Sequence, residues 1–236
     1  MSNANQSNLD IALEIRNLSK IYESAAGKTV ALNRINLSIK HGEFVSIVGP
    51  SGSGKSTLLN LIGALDRPTR GEILIGGVDI FSQNDSKIAY IRNKMIGFIF
   101  QSYNLVNRMN VQKNVELPAI ISEMPPSSRK KLSLKILEIL GIADKANQKP
   151  YNLSGGQQQR VAIARSLINN PTIILADEPT GNLDTKTGTE IFDLLKMLSH
   201  KFHKTIIMVT HNSELAKLTD RVINIVDGRI SSDVVT

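Results

Sequence analysis

A glycine-rich run that ends in a lysine and two hydroxyl residues is the first group that could do chemistry. It follows an apolar run, precedes a helix-like stretch, and reads Gly49, Pro50, Ser51, Gly52, Ser53, Gly54, Lys55, Ser56, Thr57. Glycines let the backbone curl so that successive N–H groups point inward at phosphate oxygens. Lys55 can place a positive charge on the β- and γ-phosphates of a nucleotide, and the Ser56 hydroxyl can ligate Mg²⁺. The pattern, in this strand-to-helix position, predicts a nucleotide-phosphate site.

Two carboxylates at the end of an apolar run form the second group. Residues 173–176 are all apolar, and Asp177 and Glu178 follow them. Asp177 can hold the Mg²⁺ shell, and Glu178 can polarise an attacking water as a general base. Two acids at a strand end would, by themselves, be interpreted as solvated side chains. Beside a phosphate-binding loop they predict hydrolysis of the nucleotide.

A second helix start suited to an anion lies between these two groups. It reads Ser154, Gly155, Gly156, Gln157 and opens a helix-like stretch. Free backbone N–H groups and a hydroxyl at a helix start can bind an anion. The loop at 49–57 already serves one nucleotide completely. The second helix start therefore raises the question of whose nucleotide it contacts.

The overall composition is that of an ordinary globular protein. Of 236 residues, 41% are hydrophobic and 21% charged, which suits one large α/β domain with or without an insertion. The net charge is +7, but aromatic residues make up only 4% and tryptophan is absent, so no nucleic-acid partner is expected. The absence of cysteine excludes disulfides and thiolate metal sites.

No apolar run approaches the roughly 18 residues of a membrane span, and the polar amino terminus has no signal-peptide pattern. A cytoplasmic protein is therefore expected.

Hydrophobic periodicity predicts the elements that position these groups. Apolar residues alternate over 11–15 and 35–39, which is typical of half-buried antiparallel strands. Further strands are predicted at 44–48, 73–75, 96–100, 172–176 and 205–209, helices at 56–65, 157–168 and 188–198, and a hairpin at 222–230. Between about 102 and 150 the pattern is helical, with a loop at 125–128 leading into a helix at 131–140.

This alternation predicts an α/β fold. The expected architecture is a P-loop NTPase core with a mainly parallel sheet, an N-terminal antiparallel β-subdomain and an inserted α-helical subdomain. One ATP-binding domain is predicted over residues 10–232. Its core is expected at about 10–101 and 151–232, and its helical insertion at about 102–150.

The motifs together resemble those of the ATP-binding-cassette (ABC) ATPases. Residues 153–157 are similar to that family's signature, and the similarity continues through 158–184 to Asp177, Glu178, Pro179, Thr180, Gly181, Asn182, Leu183, Asp184. The resemblance covers roughly residues 10–230, and its motifs occur in the family's order. It implies an active ATPase that uses ATP and Mg²⁺.

The resemblance also implies a role for single residues. Tyr22 matches the aromatic residue that stacks on adenine, and Gln101 matches the glutamine that senses Mg²⁺ and links to the transmembrane partner. His211 matches the switch histidine that contacts the γ-phosphate. The implied catalytic residues are therefore Lys55, Gln101, Glu178 and His211. Residues 154–157 would contact ATP in trans, and Asp184 would contact the other subunit. The implied assembly is an ATP-dependent head-to-tail homodimer beneath an integral-membrane permease, on the inner face of the cell membrane.

Three local strings narrow the resemblance further. Residues 65–71, 101–106 and 114–118 are similar to those of ATPases for lipoprotein release and for macrolide or antimicrobial-peptide export. Nutrient-import ATPases share most of the same core, so import stays open as an alternative. A non-transport ABC ATPase that acts on nucleic acid is a second alternative, although the compact insertion argues against it. A P-loop kinase would leave residues 153–157 without a purpose.

Overall fold

The computed structural model describes residues 10–24 and 27–236. Ten strands and seven α-helices are described within these ranges. In chain order they are β1 Ile11–Ser24, β2 Gly27–Lys40, β3 Phe44–Val48, α1 Lys55–Ile62, β4 Arg70–Ile75, β5 Val78–Asp79, α2 Asp85–Met95, β6 Ile96–Phe100, α3 Val111–Ile121, α4 Pro126–Ile139, α5 Gly155–Leu167, β7 Ile173–Asp177, α6 Thr185–Phe202, β8 Thr205–Val209, α7 Ser213–Ala216, β9 Arg221–Val226 and β10 Arg229–Val235.

The strands form two sheets. The larger has the order β10-β9-β3-β8-β7-β6, and every pairing in it is parallel except that of β10 with β9. The smaller has the order β2-β1-β4-β5 and is antiparallel throughout. The predicted parallel core and N-terminal antiparallel subdomain are therefore confirmed.

The central strands are buried on both faces, and their alternate residues enter two different cores. Ile47, Leu175 and Ile207 pack with the antiparallel sheet and α1. Phe44 and Ile206 point to the opposite face, where they pack with α3, α5 and α6. Helices cover both faces of a parallel sheet, which explains why its strands are continuous apolar runs in the sequence.

The helical insertion of the predicted fold is present as α3 and α4, between β6 and α5. The prediction of a loop over 125–128 is wrong, because α4 begins at Pro126. Proline suits the first position of a helix, where its missing N–H would have no intrahelical partner. Helix α2 was not predicted; only Ile88 and Ile91 of its residues are buried, so its apolar stripe is short.

The carboxyl ends of four parallel strands meet at one edge of the large sheet. Phe100 of β6 pairs with Asp177 of β7, Asp177 pairs with Val209 of β8, and Ile47 of β3 pairs with Val209 as well. The segments that follow these strands therefore lie side by side. In open α/β sheets, this edge is where ligands bind.

Candidate functional site

The loop from β3 to α1 has the backbone of a phosphate cradle. Gly49, Gly52 and Gly54 have φ of 148°, 77° and 106°, a left-handed region that glycine tolerates. A Cβ on Gly49 would lie 2.1 Å from the carbonyl oxygen of Ile225, and one on Gly54 would lie 2.6 Å from that of Ala31. No side chain caps α1, so the N–H groups at its start remain available to an anion.

Lys55 lies inside the curve of this loop and is only 5% exposed. Its Nζ donates to the carbonyl oxygens of Gly49 at 2.9 Å and Pro50 at 2.8 Å. The buried Oγ of Ser53 has no hydrogen-bond partner, although buried hydroxyls ordinarily have one. The donor set therefore fits a phosphate group, which would supply acceptors to both side chains. Ser51 and Ser56 are exposed beside it, and Thr57 is half-buried.

Asp177 and Glu178 lie beside Lys55 at the end of β7. Burial raises the pKa of Asp177, against the opposing charges of His211 and Lys55. Burial also raises the pKa of Glu178, against the hydrogen bond from the backbone N–H of His211. A carboxylate with a raised pKa is a better proton acceptor, as a general base requires.

Glu178 and His211 are in direct contact. The N–H of His211 donates to Oε2 of Glu178 at 3.3 Å, and Nε2 of the ring lies 3.3 Å from Oε1. Oε1 is buried and makes no hydrogen bond. The His211 side chain is 61% exposed, so it forms the outer wall of the site.

Gln101 directly follows β6 and contacts the segment after Glu178. Its Nε2 donates to Oδ1 of Asn182 at 3.2 Å, and Nδ2 of Asn182 donates back to the Gln101 carbonyl at 3.0 Å. Gly181 permits this approach, because a Cβ there would lie 2.7 Å from Nε2 of Gln101. Nothing in the sequence pattern pointed to Asn182 as the partner of Gln101, because 81 positions separate the two residues.

Tyr22 is held in place by a cluster at the end of β1. Its hydroxyl donates to Oδ2 of Asp66 at 2.9 Å, and Nζ of Lys20 lies 4.8 Å from its ring centroid. Lys20 also pairs with Oδ1 of Asp66 at 2.7 Å. Burial works to raise the pKa of Asp66, but hydrogen bonds from Lys20, Tyr22 and the backbone of Arg67 outweigh it, and the pKa is lowered. Sequence reasoning missed both Lys20 and Asp66 as partners of this tyrosine.

Residues 154–157, here called the signature segment, begin α5. Ser154 caps the helix through a capping box, in which its Oγ accepts from the Gln157 N–H at 3.4 Å and Gln157 Oε1 accepts from the Ser154 N–H at 3.0 Å. These bonds use two of the donors that the sequence offered to an anion. The N–H groups of Gly155 and Gly156 are not used by the box.

The two glycines of the signature segment allow close packing within the chain. A Cβ on Gly155 would lie 2.8 Å from the Tyr103 hydroxyl, and one on Gly156 would lie 2.4 Å from Cγ2 of Thr187. Gly156 is buried, whereas Ser154 is exposed. Asp184 caps the next helix, α6, by accepting from the Thr187 N–H at 3.0 Å. The exposed edge of the segment is therefore formed by Ser154.

The structure brings together one part of the predicted site and leaves another part separate. Lys55, Asp177, Glu178 and His211 interact electrostatically with one another. In the described chain, no hydrogen bond or ion pair joins the signature segment to residues 49–57. The phosphate loop and the signature segment are therefore separate surfaces of one chain.

Comparisons with known proteins identify the class. The ABC transporter family model matches residues 32–181. An uncharacterized ABC transporter ATP-binding protein of Thermotoga maritima is 50% identical over 218 residues, which is 92% of this chain and 93% of that protein. The macrolide export ATP-binding/permease protein MacB of Nitrosomonas europaea is 46% identical over 225 residues, which is 95% of this chain but 34% of that protein.

Solved structures agree. The dimeric structure of the ABC transporter cassette MJ0796 of Methanocaldococcus jannaschii has a TM-score of 0.85 at 46% identity, covering 94% of this chain and 98% of that one. A second structure of that cassette is a dimeric post-hydrolysis state bound to ADP and Pi. The chain belongs to the ABC transporter family and is one of its ATP-binding subunits. It is an ATPase with the cassette fold, and its relatives include the MacB-type export proteins.

Proposed function

We propose that two copies of this chain form a head-to-tail dimer with two ATP molecules between them. Each ATP lies on the phosphate loop of one chain and against the signature segment of the other. The separation of these two surfaces within one chain carries the proposal, because Ser154 is exposed and, within the described residues, its side chain forms its hydrogen bond with Gln157 and none with residues 49–57. The dimeric structures of MJ0796 support it. The whole of residues 10–232 acts as a single ATP-binding domain.

The site residues have separate roles in ATP hydrolysis. Lys55 and the loop N–H groups bind the phosphates, Glu178 accepts a proton from the attacking water, and His211 orients Glu178 at the γ-phosphate. Ser56, Asp177 and Gln101 would hold Mg²⁺, which neutralises charge on the β- and γ-phosphates. Tyr22 stacks on adenine, and Asp184 contacts the other chain.

The dimer powers a permease that contacts a groove beside Gln101. Apolar Phe98, Pro118 and Ile121 line this groove, and Arg92 and Arg165 border it. Arg165 donates to the carbonyls of Tyr103 and Asn104, which belong to the loop after Gln101. A cytoplasmic helix of the permease seated here would therefore be coupled to the loop that carries Gln101.

The proposal of a membrane partner rests on the relatives. None of the helices in the described ranges is long and apolar enough to cross a membrane. In the MacB relatives, an ATP-binding region and a permease share one chain, and this chain matches about the ATP-binding third of it. We place the dimer on the inner face of the cell membrane.

The transport direction that we favour is export or release of lipoprotein, peptide or drug-like substrates. The named relatives include macrolide and pyoverdine export proteins at 46% identity. Import of a nutrient is the second candidate, because nutrient-import ATPases share most of the same core. Identification of the permease that co-purifies with the tagged chain from membranes decides between the two.

Sedimentation of the Glu178→Gln variant with Mg-ATP tests the shared site. Without a competent base, ATP persists, and the variant should sediment at twice its monomer mass. The double variant Glu178→Gln, Ser154→Asp is the matched control. Aspartate keeps the helix cap but places a negative charge against the partner's γ-phosphate, so this variant should bind ATP and stay monomeric. If both the single and the double variant sediment as dimers, the signature segment is not part of the interface. If both sediment as monomers, the isolated chain does not form an ATP-driven dimer.

A further inference from the structure

The chain turns sharply directly after Glu178. Glu178 has a φ of 46°, a left-handed conformation that is uncommon for a residue other than glycine. The N–H of Gly181 donates to the carbonyl of Glu178 at 3.0 Å. Residues 178–181 therefore form a four-residue turn, and Pro179 occupies its second position, for which its fixed φ is suited. The backbone of Glu178 is thus part of this turn.

A buried side chain from another helix fixes the central peptide of the turn. Nε2 of Gln159, on α5, donates to the Pro179 carbonyl at 2.7 Å, and Gln159 is 0% exposed. The direction of this carbonyl separates the common turn types, because they differ in the rotation of the peptide between the second and third residues. The Gln159 amide therefore selects one of them.

If Gln159 served packing alone, its buried amide would be less favourable than an apolar side chain. Its Oε1 is buried and has no hydrogen-bond partner. A buried polar atom without a partner costs free energy, and an apolar residue of the same shape would avoid that cost. Only the donor end of the amide can face a carbonyl, so the bond to Pro179 determines its orientation.

Gln159 lies on the same helix as the signature segment. It lies five positions after Ser154, which is about one and a half turns along α5. The start of α5 also packs against the segment after Glu178, where a Cβ on Gly155 would lie 3.1 Å from Leu183 and one on Gly156 would lie 2.4 Å from Thr187. Any displacement of this helix start is thus passed to residues 178–187.

We propose that Gln159 is a positioning residue that connects the two nucleotide sites of the dimer. The inference rests on the proposed function, in which the signature segment serves the partner's ATP while Glu178 serves the chain's own. When the signature segment engages the partner's γ-phosphate, α5 moves, and the Gln159 amide moves the Pro179 carbonyl with it. The turn then places Glu178 for attack on the other ATP. Occupation of one site thereby sets the base of the second.

Steady-state hydrolysis by Gln159→Met tests this role. Methionine has nearly the same shape but no donor, so kcat should fall about tenfold or more, because a small misplacement of a catalytic group has an effect of this size. The KM for ATP should stay within about twofold, since the phosphate loop is untouched. The matched control is Gln112→Met, which removes another buried amide, one that donates to Lys130 and Ser133 in the helical insertion. Its kcat should equal that of the wild type.

The outcomes separate the inference from the proposed function. If wild type hydrolyses ATP, Glu178→Gln does not, and Gln159→Met keeps the wild-type kcat, then Gln159 has no positioning role and the shared site stands. If Glu178→Gln hydrolyses ATP as wild type does, Glu178 is not the general base, and the inference and the proposed function both fail. An equal loss of kcat in Gln112→Met also overturns the inference, because loss of a buried amide then explains the effect. Should Gln159→Met not fold, Gln159→Asn withdraws the amide by one methylene and is compared with Gln112→Asn under the same criteria.

Discussion

Nε2 of His211 lies 3.3 Å from Oε1 of Glu178, while the backbone N–H of His211 donates to Oε2 of the same carboxylate. His211, in the segment after β8, thus contacts both carboxylate oxygens of Glu178, which directly follows β7. This arrangement orients the carboxylate without saturating it, because Oε1 makes no hydrogen bond. Glu178 consequently combines a defined position with a free acceptor.

The first prediction concerns the stability cost of this carboxylate. Burial raises the pKa of Glu178 above its ordinary value of 4.5, so the folded chain favours the protonated form. The charged form therefore destabilises the fold at neutral pH, and this penalty declines as the pH falls through the raised pKa and is lost below the ordinary value. Glu178→Gln should therefore raise the Tm at pH 7.5, because the amide carries no charge to desolvate.

Thermal unfolding at pH 7.5 and at stepwise lower pH checks this. The gain should shrink on acidification, because the wild-type carboxyl then becomes neutral as well. The exposed Glu214, which pairs with Lys217, provides the control variant Glu214→Gln with little change in Tm. A lower Tm for Glu178→Gln at pH 7.5 would contradict the prediction.

The second prediction concerns the orientation of Tyr22. Tyr22→Phe keeps the ring but loses the bond to Asp66, and Asp66→Leu loses both that bond and the pair with Lys20. If the cluster holds the ring for adenine, each variant should raise the KM for ATP about 2–10-fold, the range expected for one hydrogen bond of about 0.5–1.5 kcal/mol. The kcat should change little, because the phosphate site is intact.

Nucleotide titrations provide the measurement for Tyr22. Tyr22→Ala removes the ring and should raise the KM further than Tyr22→Phe does. The exposed Asp144, whose partner is Lys145, provides the control Asp144→Asn with an unchanged KM. An unchanged KM in Tyr22→Ala would exclude adenine stacking on this residue.

The third prediction concerns the contact between the signature segment and α6. Gly156→Ala would bring a Cβ to 2.4 Å from Cγ2 of Thr187, and overpacking of this kind typically costs about 1–3 kcal/mol. Thr187→Ser removes that methyl group but keeps the hydroxyl. The double variant should therefore recover most of the stability that Gly156→Ala loses.

A double-mutant cycle from denaturant unfolding measures this coupling, which should lie in the range of about 0.5–3 kcal/mol found for contacting residues. Pairing Gly156→Ala with the distant Thr172→Ser serves as the control. Strict additivity of Gly156→Ala and Thr187→Ser would show that Gly156 is not required by packing within the chain.

The sequence by itself determined the parts of the site that are built from consecutive residues. The phosphate loop at 49–57, the acids at 177–178 and the parallel βα alternation were all predicted correctly as local structure, because backbone curvature and strand periodicity depend on neighbouring residues. Two helix features were missed because their local signal is weak. Helix α2 has only a short apolar stripe, and α4 begins at Pro126 within a run that is typical of loops.

Only the tertiary structure decided how these parts are connected. Tyr22 meets Asp66 across 44 residues, Gln101 meets Asn182 across 81, and Gln159 meets Pro179 across 20. Such contacts follow from strand order and helix packing, which bring distant segments to one edge of the sheet. A single sequence carries no local signal for a hydrogen bond of this kind, because neither partner's own neighbours require it.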